Sequence, residues 1–185
     1  MPFITSVFFK RLLYHFLLFI FAIGPGYAFD NGFFSLKEIR ERGVVMQKWE
    51  NSCAAASIAT VLTYGFHDPV SESDVAGDML LGVEPRKVKN RGGFSLLEMK
   101  RYIESRGYKA DAYKNLSLTD LVLFNAAIVP INKFGMNHYV VFNYKRGNKI
   151  FLSDPSYGNR EMDIAEFQQV WMNGIAFVIT KMELQ

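Results

Sequence analysis

The chain has 185 residues, 50% of them hydrophobic and 15% aromatic, with a formal net charge of +3 and one cysteine. This composition fits one compact domain and excludes a disordered chain, and the near balance of charge gives no nucleic-acid footprint. A lone cysteine excludes an internal disulfide, so the domain has to be held by its apolar core.

Lys10-Arg11 precedes an apolar run from Leu12 to Ile23, broken by Tyr14 and His15, and Gly24-Pro25-Gly26-Tyr27-Ala28 follows it. A basic start, a short apolar run and a small-residue site predict a secretory signal over residues 1–28, cleaved after Ala28. The domain is then residues 29–185, placed in the periplasm or secreted. The run falls short of the roughly 20 residues of a membrane span. An uncleaved anchor is the other reading, with membrane contact through this segment alone. Taking Lys10 and Arg11 from the 21 basic residues leaves 19 against 18 acidic ones, a formal charge of +1.

Ser35-Leu36-Lys37-Glu38 has the form of a capping box and predicts a short helix. From Cys53 the chain is apolar nearly all round through Tyr64 and stops at Gly65, which predicts a buried helix of about a dozen residues. Ser71 to Leu80 predicts a second, more polar helix, and Leu81 to Gly93 reads as a loop. Within that loop, Arg86-Lys87-Val88-Lys89-Asn90-Arg91 reads as a solvated basic segment, and Gly92-Gly93 as a lead into the next cap. Ser95-Leu96-Leu97-Glu98 opens a helix with Leu97, Met99, Tyr102 and Ile103 on its apolar side and Gly107 as its stop.

The periodicity then shifts to strands. Tyr108 to Tyr113 alternates, Ala127 to Asn132 is an apolar run, and Tyr139 to Tyr144 is rich in valine and aromatics. A short helix is expected over Leu116 to Phe124. Arg146-Gly147-Asn148 turns the Tyr139 strand back into Lys149 to Ser153 as a hairpin. Asp163 opens a last helix through Met172, and Ile175 to Thr180 closes as a strand. Helices first and strands later give an α+β class, with N-terminal helices packed on a mostly antiparallel sheet.

Cys53 stands at a helix start, where unpaired amide groups and the helix dipole favour a thiolate. The predicted domain holds two histidines, His67 and His138. His67 lies in a turn beyond the far end of the Cys53 helix, roughly 20 Å along its axis at 1.5 Å per residue, so His138 is the candidate base. His138 lies nine positions before Gly147 and Asp154 seven after it, so the hairpin returns Asp154 to His138, where a carboxylate can fix the imidazole tautomer. The Cys53 amide and the side chain of Gln47 are candidate oxyanion donors. Each residue alone has an ordinary reading: Cys53 as a small core residue, His138 as a strand-end histidine, Asp154-Pro155 as a turn, Gln47 as a loop polar residue, and Trp49 and Trp171 as core or rim aromatics. Two histidines and one cysteine leave no zinc set, and no metal or cofactor is expected.

Gln47, five intervening residues, Cys53 with its small-residue helix, His138-Tyr139-Val140-Val141, and Asp154-Pro155 with Gly158 resemble the bacteriocin-processing, double-glycine leader peptidases. These form a papain-like cysteine peptidase family, and the likeness runs over about residues 44 to 180. It implies a papain-like fold and cleavage after small residues, typically Gly-Gly. Cys53 would be the nucleophile, His138 the base, Asp154 the orienter and Gln47 the oxyanion donor. Ser52 and Ala54 depart from the acidic residue and the glycine usual beside the cysteine. A form without the export ATPase resembles the stand-alone member that accompanies bacterial functional-amyloid secretion. The expected partner is then a peptide or protein substrate, such as a leader peptide or a secreted amyloid subunit, and not nucleic acid. A non-catalytic binding module on the same fold, holding an exported partner, is the alternative, and acyl transfer to an amine is a third reading.

Overall fold

The computed structural model describes residues 34–133 and 135–182, so the expected signal segment lies outside the described residues. A capping box at Ser35 opens α1 (Leu36–Glu41): the Ser35 hydroxyl accepts from the Glu38 amide and the Glu38 carboxylate accepts in return from Ser35 N–H. Helix α2 (Cys53–Thr60) is buried at every position and continues into a π-helical turn over Val61–Gly65, so the predicted dozen-residue helix is present with its last turn widened. Then come α3 (Glu72–Leu80), α4 (Pro85–Arg91) and α5 (Leu96–Ser105). The second half holds β1 (Tyr108–Tyr113), α6 (Leu118–Leu121), β2 (Ala127–Lys133), β3 (Met136–Arg146), β4 (Lys149–Asp154), β5 (Gly158–Asp163), α7 (Ile164–Val170) and β6 (Ala176–Lys181).

The strands form one six-stranded sheet in the order β1-β6-β2-β3-β4-β5, and every pairing is antiparallel. Side chains alternate between its faces, as the two-residue period of a strand requires. Ile128, Val141, Phe177 and Ile179 meet the helical layer of Ile58, Leu62, Met99 and Ile103. Val129, Val140, Phe142 and Val178 point the other way, towards Phe167 of α7 and Leu121 of α6. Burying each such side chain contributes about 1.5–3 kcal/mol, which a chain without disulfides has to rely on.

Two elements differ from the sequence reading. The expected loop of Leu81 to Gly93 contains α4, with Pro85 in its first turn and Gly92 ending it at φ 80°. Its only buried side chain is Val88, so the helix has no apolar repeat to announce it and only the proline-to-glycine frame remains. Strand β5 was not expected, because its residues are mostly polar and it pairs with β4 at the sheet edge. One side chain also faces differently: Met99, Tyr102 and Ile103 of α5 are buried as expected, but Leu97 is 56% exposed.

The edge at β5 is joined to α1 at close range. A Cβ built on Gly158, which has φ +80°, would lie 2.7 Å from the Arg40 carbonyl oxygen. Gly158→Ala is expected to lower stability by about 1–3 kcal/mol, read as a lower thermal midpoint. An unchanged midpoint would show that the α1–β5 junction yields freely.

Candidate active site

Helix α2 is tied to strand β3 and to the loop that precedes the helix by side-chain hydrogen bonds. One turn beyond Cys53, the Ser57 hydroxyl donates to the carbonyl of Tyr139, the residue after His138 (3.3 Å). One turn further on, the Thr60 hydroxyl accepts from Val45 N–H (2.9 Å) and donates to the Ala56 carbonyl (2.8 Å). Gln47 N–H donates to the carbonyl of Pro155, which follows Asp154 (2.9 Å). The helix start and the strand ends are therefore held as one unit.

Within that unit His138 Nε2 lies 2.7 Å from Asp154 Oδ1. Asp154 is fully buried, and it reaches His138 although β3 carries an irregularity: Val141 pairs with Ser153 and Phe142 with Leu152, but Tyr144 pairs with Phe151. The bulge at Asn143 shifts the register by one residue, within the tolerance of the hairpin count. The ionised carboxylate accepts the Nε2 proton, which leaves Nδ1 as the free nitrogen of the ring, and Cys53 is near enough to act on the ring's charge. Burial alone would make His138 less basic. Hydrogen bonds to Asp154 and Cys53, with their negative charge, outweigh it and raise its pKa from 6.5 to about 9. For Asp154 burial favours the neutral acid, but the His138 hydrogen bond and charge, the Ser156 N–H and the Arg160 charge hold its carboxyl below the usual range.

Two residues around this chain were not singled out in the sequence. Arg160 Nε donates to Asp154 Oδ2 (2.7 Å), while Ser156 N–H donates to Oδ1 (2.9 Å). No periodic signal marks Arg160, because the residues of β5 after Asp154-Pro155 are mostly polar and show no apolar alternation. Glu72, buried at 1% exposure, accepts from Lys48 N–H (3.2 Å) and so braces the loop before Cys53. Gln47 is in that loop. Its Nε2 donates to the Trp49 carbonyl (3.1 Å), and its Oε1 is buried without a partner among the described residues.

A cleft of about 370 Å³ opens over Cys53. One wall is Arg91 to Leu97, the other His138, Tyr139, Pro130 and Met172. The first wall is rigid: Gly93 N–H donates to the Val88 carbonyl (2.9 Å), Arg91 Nε donates to the Gly93 carbonyl (3.0 Å), and Arg91 also pairs with Glu98, the capping-box residue of α5 (2.5 Å). Gly92-Gly93 is thus the end of α4 and a wall of the cleft. Trp49 is 54% exposed and lines a separate hollow with Ala76 and Val88, Trp171 is half-buried with Nε1 donating to the Ile175 carbonyl (2.7 Å), and His67 is exposed in its turn. Among the described residues no group of three or more His, Cys, Asp or Glu side chains is placed to hold a metal ion.

A cysteine at the start of a buried helix, beside a histidine and aspartate on an antiparallel sheet, is the architecture of papain-like cysteine peptidases. The chain belongs to the Peptidase C39 family, whose model matches residues 41–183. It is 36% identical over 145 residues to the probable functional amyloid protease FapD of Pseudomonas aeruginosa, a match over 78% of this chain and 63% of that protein. The chain therefore spans less than two thirds of that relative's length. Among solved structures, a double-glycine-motif protease from an AMS/PCAT transporter, in complex with its leader peptide, is 26% identical with a TM-score of 0.62, over 75% of this chain and 91% of the other. The peptidase domain of Streptococcus ComA shares the fold, with 18% identity and a TM-score of 0.63, over 75% of this chain and 98% of the other.

Proposed function

We propose that this protein is an exported cysteine endopeptidase that cleaves a secreted protein or leader peptide after small residues of the Gly-Gly type, in a functional-amyloid export system. The observation that carries the reading is the continuous chain Cys53–His138–Asp154, with its imidazole held by a buried carboxylate at 2.7 Å. Cys53 is the nucleophile and His138 takes its proton to form the reactive ion pair. Asp154 keeps the ring in the orientation that presents Nδ1 to sulfur. The thiolate adds to the scissile carbonyl, the oxyanion is met by the Cys53 amide and by Gln47, and His138 returns a proton to the leaving amine. Water then attacks the acyl-enzyme and frees the thiol. Gln47 is not among the residues that line the cleft, and its Nε2 is given to the Trp49 carbonyl, so the role requires its second Nε2 proton to turn towards the oxyanion.

Small residues beside the scissile bond are supported by the rigid Gly93–Phe94 wall facing His138 and Tyr139 across the cleft. Tyr139, pushed up to about 12 by burial and by the charge of Cys53, stays a neutral hydroxyl there. Export is supported by the signal pattern of residues 1–28, and the amyloid setting by the likeness to a protease of that name. The test is to incubate the protein with a peptide containing one Gly-Gly pair and to find the cut by mass spectrometry. Cleavage after the second glycine is expected, with kcat/KM lower by roughly 10-fold or more when either glycine becomes valine. Cleavage indifferent to the glycines would overturn the specificity, and product mass increased by an added amine would assign acyl transfer in place of hydrolysis.

A further inference from the structure

Arg160 stands behind the proposed triad, on the far side of Asp154 from His138. It projects from β5, where it pairs with Leu152 two residues before Asp154 on β4. Its side chain is 19% exposed, and its Nε–Oδ2 bond to Asp154 is as short as the His138–Asp154 bond, 2.7 Å in both cases. The guanidinium also lies over the Tyr157 ring at 5.8 Å. On its outer side it borders a hollow of about 500 Å³, lined also by Asn143, Tyr144, Phe151, Asn159 and Glu161. That hollow does not share a residue with the cleft over Cys53.

From this placement we infer that Arg160 is a positioning residue of the peptidase reaction, fixing the Asp154 carboxylate from behind and tuning, through it, how firmly His138 holds its proton. The inference rests on the proposed peptidase function. A fully buried carboxylate bonded to histidine alone would have that imidazolium as its sole charge partner, and would hold the ring proton tightly. A second cation on Oδ2 shares the compensation, so His138 can release its proton to the leaving amine. Arg160 also locks the carboxylate plane, because Oδ2 is tied to Nε while Oδ1 serves His138 Nε2 and Ser156 N–H. A guanidinium suits this place because it remains charged when buried and presents a fixed planar donor set.

The experiment compares kcat, KM and the pH dependence of kcat/KM for the wild type, Arg160→Met and Arg160→Lys on one peptide. With Arg160→Met, kcat is expected to fall roughly 10- to 100-fold at unchanged KM, and the high-pH limb to move up by about one unit. His138, not a proton, remains to compensate Asp154, so the ring becomes more basic. Arg160→Lys restores the limb while kcat stays below wild type, because a lysine offers charge without the planar fork. Should Arg160→Met fail to fold, Arg160→Gln, which keeps a donor and loses the charge, carries the same upward shift. A limb at the wild-type position in the uncharged variant, whatever its thermal midpoint, overturns the inference. An inactive wild type would overturn the peptidase reading instead.

Discussion

Cys53→Ala is expected to abolish peptide hydrolysis, lowering kcat by roughly 10³-fold or more, while leaving the fold and peptide affinity in place. The magnitude follows from the covalent step of the proposed mechanism. Without sulfur no acyl-enzyme forms, and the cleft, the oxyanion donors and His138 can only assist direct attack by water. The fold is expected to survive because Cys53 is a small buried side chain at the first position of α2, followed by Ala54, Ala55 and Ala56, all fully buried. Alanine at position 53 continues that run and removes one atom. Binding of an uncleaved Gly-Gly peptide, measured by calorimetry, should therefore match wild type within a few-fold, and iodoacetamide, which labels wild type at its only cysteine, should no longer add mass. Product from the variant at the wild-type rate would sink the nucleophile assignment. Intact export of the partner with Cys53→Ala would favour the binding-module reading.

The candidate site residues were readable because each sits where local chemistry marks it. Cys53 marks itself by a helix start in a chain without other cysteines, and His138 and Asp154 by a hairpin whose turn at Gly147 can be counted from. The Asn143 bulge changes that count by one residue, too little to part a histidine from a carboxylate that ends the paired strand. What was hidden is polar and non-periodic. Helix α4 buries only Val88, and β5 buries only Gly158 and Met162, so neither shows an apolar repeat. Arg160 and Glu72 were hidden for a second reason: a charged residue reads as surface until a partner at a distance in the chain accounts for its burial. The Glu72 partner is the Lys48 amide and the Arg160 partner is Asp154, and neither pairing follows from spacing. Leu97 shows the converse, an apolar residue at a core-like position that the structure turns to the wall of the cleft.

In the proposed mechanism the pH dependence is set by His138. With its pKa at about 9, kcat/KM of the wild type should stay high through neutral pH and fall above about 9 with the slope of one proton, as the ring loses the proton owed to the leaving amine. Asp154→Asn removes the charge and the hydrogen bond that oppose the burial of His138, so the limb should move down towards 6.5, opposite to the shift expected for Arg160→Met. Its kcat should fall by roughly 10²- to 10⁴-fold, because a neutral partner no longer selects the tautomer that presents Nδ1 to sulfur. The same linkage acts on stability. A histidine whose folded pKa lies above its unfolded value stabilises the native state below about 6.5, and that contribution is lost as pH rises through about 9. Asp154 runs the other way: its lowered pKa contributes above the unfolded carboxylate value and is lost on acidification. Thermal midpoints of wild type and Asp154→Asn should therefore converge as pH rises from 6.5 through 9, a change that titrations elsewhere in the protein, common to both proteins, cannot produce. A constant difference across that range would show that Asp154 does not hold the His138 proton.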